Sequence, residues 1–221
     1  MHILYSPHAE VPRPRRVARR DPGFTLIEVL VAIVILGIVT TAALNFATVG
    51  AKATATQERR QVAIAVATAA MEEVNARVAS VDAGSGVSYL MLGRSKTEVQ
   101  AAWTKFGSFP GVATTYAGWD KLATGASIPA IPITSTVTRN GTVFTVTTLI
   151  GWCYQQQVAS DCALVPTYST APAKAPPGWS NRLIRAMAIV QWSAGEYCSP
   201  SACSYQLITF VDGSSDLEWI G

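Results

Sequence analysis

Arg19–Ile38 reads RRDPGFTLIEVLVAIVILGI, and the reading of this stretch decides the fold. From Phe24 to Ala43 only Thr25, Glu28, Thr40 and Thr41 are polar, and about 20 apolar residues suffice to cross a bilayer as a helix. No proline occurs between Pro22 and Pro110, so helix is free to continue well past the apolar run. Glu28 is the anomaly. An acidic side chain in a spanning helix costs roughly 2.5–3.5 kcal/mol at mid-membrane, less towards an end, and is functional by default.

On the N-terminal side, Arg13, Arg15, Arg16, Arg19 and Arg20 stand against Glu10 and Asp21, whereas residues 24–221 hold 12 basic and 12 acidic residues. Such a basic flank stays cytoplasmic, which places everything after the run outside the cytoplasmic membrane, in a single-pass topology. Nucleic-acid binding needs Lys and Arg clustered on a folded face, so no nucleic-acid partner is read here. Both histidines, His2 and His8, also lie in the basic head. Residues 24–221 therefore cannot supply a His-based triad or a His-ligated metal.

Three readings of the run compete. A plain membrane anchor leaves Glu28 without a purpose. A secretory signal peptide would use Ala51-Lys52-Ala53 as its cleavage site, but its apolar region would exceed the usual length and contain a carboxylate. The third reading takes the stretch as a unit. Gly23-Phe24-Thr25-Leu26-Ile27-Glu28, after a basic leader and before an apolar run, resembles the prepilin cleavage and methylation motif of type IV pilins and type II secretion pseudopilins. The resemblance implies that prepilin peptidase cuts between Gly23 and Phe24 and methylates the new amino terminus of Phe24. It makes Glu28 the fifth mature residue, held to meet the amine of an adjacent subunit and set axial register. A buried ion pair used for register is the best-attested role of such pairs. Pro22-Gly23 keeps the scissile bond out of helix. Gly37 reads either as an unwinding point on assembly or as a close-packing site.

Beyond Gly50 the pattern turns amphipathic, with Val62, Val66, Ala70, Val74 and Val78 every four residues and Glu73–Arg77 as an i,i+4 pair. The helix is expected to end near Val81-Asp82. Ser95-Lys96-Thr97-Glu98 fits a capping box opening a short helix to about Lys105, with Val99, Ala102, Trp103 and Phe106 for packing. Ile131–Arg139 and Thr142–Trp152 flank Asn140-Gly141, the strongest short hairpin signal. Phe144, Val146, Ile150 and Trp152 share one face by period two. Leu183–Trp192 and Tyr205–Val211 read as two further strands. The proline-bearing segment Gln155–Ser180 reads as an exposed contact surface or as a mobile loop.

Cys153, Cys162, Cys198 and Cys203 read as disulfides in an exported domain. Cys153–Cys162 and Cys198–Cys203 is the simplest of three connectivities. Zinc is the alternative, but C-x8-C and C-x4-C match no common zinc spacing. No phosphate loop or catalytic serine motif occurs, and Asp212-Gly213-Ser214-Ser215-Asp216 reads as a turn, not a calcium loop.

The expected fold is α+β and pilin-like: a long N-terminal helix packed on an antiparallel sheet of about four strands. Residues 1–23 form a cleaved leader, 24–50 the transmembrane and filament-core half of the helix, and 51–221 the extracytoplasmic head. The expected function is a structural subunit, not an enzyme and without cofactors, assembled into a type IV pilus or related filament. A minor pilin is preferred, because the head is large for a bulk subunit. Its partners are prepilin peptidase, other pilins, the assembly machinery and, before assembly, the cytoplasmic membrane. A type II secretion or competence pseudopilin is the near alternative. A membrane-anchored extracytoplasmic binding protein or enzyme is the alternative of another class.

Overall fold

The computed structural model describes residues 23–78, 89–157, 162–193 and 203–212. The chain divides after Gly50 into two compact units, and helix α1, Leu26–Val78, contributes to both. In the first unit the Thr25 carbonyl accepts from Glu28 N at 3.0 Å and Val29 N at 3.3 Å, opening the helix. Every side chain from Leu26 to Gly50 is exposed. Leu36 is 65% and Phe46 81% accessible, so this surface is made for lipid or for other helices, not for water. By length and composition the helix can cross a membrane. Its hydroxyls are already satisfied: Thr40 Oγ1 donates to Leu36 O at 2.7 Å and Thr41 Oγ1 to Gly37 O at 2.8 Å. Threonine can meet its hydrogen-bonding need one turn back in this way. Gly37 is helical, and a Cβ added there would meet nothing within 4 Å, so it packs against none of the described residues outside its own helix.

In the second unit, residues 51–78 of α1 lay one face on an antiparallel sheet. Ala63, Ala67, Met71 and Val74 are the deepest, with Val66 beside them. The expected stripe is thus rotated: Val66 and Val74 are buried, but Val62 and Ala70 only partly so. A strict four-residue spacing drifts around a helix of 3.6 residues per turn, and the small alanines on the adjacent line allow the closest approach. The side chain of Val78 and the expected helix end near Val81-Asp82 lie outside the described residues.

The sheet contains β1 (Tyr116–Ala117), β2 (Thr134–Arg139), β3 (Thr142–Gln156), β4 (Cys162–Ala163), β5 (Trp179–Trp192) and β6 (Cys203–Asp212). β3 pairs β5 along nearly its whole length, and its other edge carries β2, β1 and β4 in succession; β5 in turn pairs β6. The four long strands are those expected. β1 and β4 add two more, each of two residues, too short to leave a period in the sequence. β2 starts at Thr134; Ile133 O still accepts from Thr148 N of β3 at 2.9 Å, and Pro132 before it has no N–H to extend the ladder. The Asn140-Gly141 hairpin has φ +48° and +72° with Arg139 opposite Thr142, the signature of a two-residue type I′ turn.

Period two sorts the core. Phe144, Val146 and Ile150, with Ile184, Ala186, Ala188 and Val190, face α1, and Trp152 joins them partly buried. Leu149, Met187 and Ile189 face the other way and are covered by Phe106 and Val112, which follow α2 (Lys96–Lys105). The sheet is therefore a middle layer, where one helix on one face was expected. α2 starts as predicted: the Ser95 hydroxyl accepts from Glu98 N at 3.4 Å and donates to Glu98 Oε2 at 2.6 Å.

Arg94, fully buried, fastens α2's approach to the sheet. Its two terminal nitrogens donate to Ile131 O at 3.1 Å and Thr148 O at 2.5 Å. Burial lowers its pKa to about 10, so it remains charged at neutral pH. Arg94→Met should leave both carbonyls short of a donor, at roughly 1–3 kcal/mol per unsatisfied group. Denaturant unfolding of the full chain in detergent measures this, and an unchanged midpoint would show that Arg94 is not a tie.

Candidate processing and assembly site

Gly23, Phe24 and Thr25 are non-helical, and α1 begins immediately after them. Phe24 is 84% accessible, and a Cβ on Gly23 would meet nothing within 4 Å. The Gly23–Phe24 peptide is thus open and outside the helix, in the form that a peptidase can draw into its cleft without unwinding a turn. Glu28 lies in the first turn of α1, where a carboxylate is favoured by the exposed N–H groups of the helix start. It is solvent-exposed, and among the described residues the one ion pair is Glu73–Arg77 at 3.8 Å, leaving Glu28 without a counter-ion. Along the apolar run, then, the hydroxyls of Thr40 and Thr41 are satisfied within the helix, and Glu28 has no ion-pair partner among the described residues. The candidate site is one short strip of chain, Gly23 to Glu28, with an open, non-helical peptide at one end and a carboxylate one helical turn away.

The cysteines belong to a second constellation. Cys153 in β3 and Cys162 in β4 form a disulfide with Cα atoms 5.4 Å apart. No described cysteine is free, and Cys203 is also disulfide-bonded. Cys198 lies outside the described residues, as does the turn expected after Asp212. The Cys153–Cys162 bond removes two of the four thiolates that a zinc site would need.

Around that disulfide the described parts of 155–180 are pinned, which the composition of the segment did not disclose. Tyr116 Oη sits among Val165 O at 2.8 Å, Tyr168 O at 2.9 Å and Val165 N at 3.1 Å, donating to a carbonyl and accepting from the amide. Tyr154 donates to Pro172 O. The Arg182 guanidinium lies 3.6 Å over the Trp152 ring and donates to Ala173 O at 3.2 Å. Arg185 is buried and donates to Cys162 O, Gly111 O and the hydroxyls of Thr114 and Thr115. Sequence reasoning passed over these residues. Arg185 had a visible signal, a lone cation inside the apolar run Leu183–Trp192, the same kind of anomaly as Glu28.

The prokaryotic N-terminal methylation motif matches residues 18–44, a stretch that spans Gly23, Phe24, Glu28 and the apolar run to Leu44. It is the signature of type IV pilins and pseudopilins and marks a precursor processed by prepilin peptidase. No curated protein and no solved structure matches the chain.

The short Cys153–Cys162 loop closes nine residues of sequence separation, and such a bridge is worth about 2–3 kcal/mol. Replacing both cysteines with serine should lower stability by that amount, and alkylation of the native chain without reductant should leave both unlabelled. Complete labelling before reduction would contradict the bridge.

Proposed function

We propose that this chain is a pilin-like structural subunit, stored in the cytoplasmic membrane and drawn into a type IV pilus or related filament, in the role of a minor pilin. The observation that carries the reading is Glu28: a carboxylate without a counter-ion among the described residues, four positions beyond Phe24, within the methylation motif. Cleavage after Gly23 frees the amine of Phe24. An amine and a carboxylate that would each be costly in lipid become tolerable as a pair. Pairing Glu28 with the amine of the adjacent subunit fixes the axial stagger between helices, since any other stagger leaves one charge buried alone. Residues 1–23 then act as the cytoplasmic leader, 24–50 as the membrane and filament-core segment, and 51–221 as the extracytoplasmic head.

The head supports a specialised subunit. The described parts of its 155–180 segment are held by a disulfide, two tyrosine hydroxyls and two arginines, and loops positioned by a rigid scaffold commonly carry recognition. A type II secretion or competence pseudopilin would use the same Gly23–Glu28 strip. A membrane-anchored binding protein or enzyme would need the methylation motif to have no consequence. The motif and the α+β layout point to a structural subunit rather than an enzyme.

Glu28→Gln tests the register. The variant should insert into the membrane and be processed as the parent is, while its incorporation into filaments falls by tenfold or more, as loss of about 1.4 kcal/mol or more requires. Undiminished incorporation would refute the pairing role of Glu28.

A further inference from the structure

We propose that Asn140 is a spontaneous modification site whose conversion to an acid releases the β2–β3 hairpin from α1. Asn140 occupies the exposed first position of the two-residue turn, and the residue after it is glycine. The next residue's backbone nitrogen is the nucleophile in asparagine deamidation, and glycine shields it least. Here a Cβ added to Gly141 would meet nothing within 4 Å, so the approach is open from outside as well. The other asparagines, Asn45, Asn75 and Asn181, precede Phe46, Ala76 and Arg182, each with a side chain that hinders the same attack.

The chemistry balances with water alone. Gly141 N attacks Asn140 Cγ, the Cγ–Nδ2 bond breaks, and ammonia leaves with the proton given up by Gly141 N, forming a succinimide. Water then opens the ring at Cγ to give aspartate, or at the backbone carbonyl to give isoaspartate.

The consequence is specific to this fold. Asn140 Nδ2 donates to Glu58 Oε1 at 2.9 Å, joining the hairpin tip to α1. Either product replaces that donor with a carboxylate facing the Glu58 carboxylate, so a hydrogen bond becomes a like-charge contact. Isoaspartate also lengthens the backbone of a turn whose geometry admits two residues. The tip guards one end of a groove of about 450 Å³ between α1 and the hairpin, lined by Val62, Val66, Ala69, Val137, Arg139 and Val146. Repulsion at Glu58 opens that groove.

The test uses the full chain in detergent micelles. After days at mildly alkaline pH, peptide mapping should find amide-to-acid conversion at residue 140 while Asn45, Asn75 and Asn181 stay intact. Amide exchange across residues 137–146 should be several-fold faster in Asn140→Asp, which keeps a residue tolerant of positive φ. Adding Glu58→Gln to that variant should restore slow exchange. Two results would overturn the proposal: an intact Asn140 where a denatured sample converts, or exchange in Asn140→Asp equal to that of the parent.

Discussion

A carboxylate inside an apolar helix is the constraint on which the account of this chain rests. Lipid offers Glu28 no water and no counter-ion, and the chain supplies none among the described residues. Thr40 and Thr41 of the same run meet their needs by bonding one turn back, whereas the carboxylate has no such recourse. Its position in the first helical turn softens the cost, because exposed amide N–H groups gather there. It does not remove it. A cation must come from elsewhere, and in the proposed function processing at Gly23–Phe24 creates one at a fixed distance along the chain. On that proposal the cut and the carboxylate form one device, in which proteolysis generates the charge that assembly consumes.

The second unit solves a different problem, that of holding a sheet between two apolar coverings. Small residues at Ala63 and Ala67 bring α1 close to one face, while Phe106 and Val112 close the other. Two of its polar ties are buried arginines. Arg94 and Arg185 each reach backbone carbonyls from several segments at once. One guanidinium with five donors in a planar fork can serve several acceptors, which suits loops that have no ladder of their own. The Cys153–Cys162 bond works beside Arg185, so covalent and hydrogen-bonded restraints converge on the edge of β3.

Much of this was legible from residue order. The apolar run, the Ser95 cap, the Asn140-Gly141 turn and the long strands all carry local signals, namely composition, a fixed spacing or a positive-φ residue. What escaped was set by partners distant in sequence. The rotation of the α1 stripe depends on which line of the helix meets the sheet, and alanine is a weak hydrophobic signal. β1 and β4 exist because Tyr116–Ala117 and Cys162–Ala163 find β3, not because of any propensity. The anchoring of Cys162 and Val165 depends on Arg185 and Tyr116, which lie outside the segment. For the candidate site the balance differs: Gly23, Phe24 and Glu28 fall within six residues, so the methylation motif that contains them was readable without a fold.

The most direct measurement of the central claim is the amino-terminal residue and mass of the chain isolated from the membranes of its own host. The account predicts a chain that begins at Phe24 and carries a methyl group on its α-amine. A chain retaining the residues before Phe24 would contradict it, and so would one cut near Ala51-Lys52-Ala53. Either would leave Glu28 without the amine that explains it.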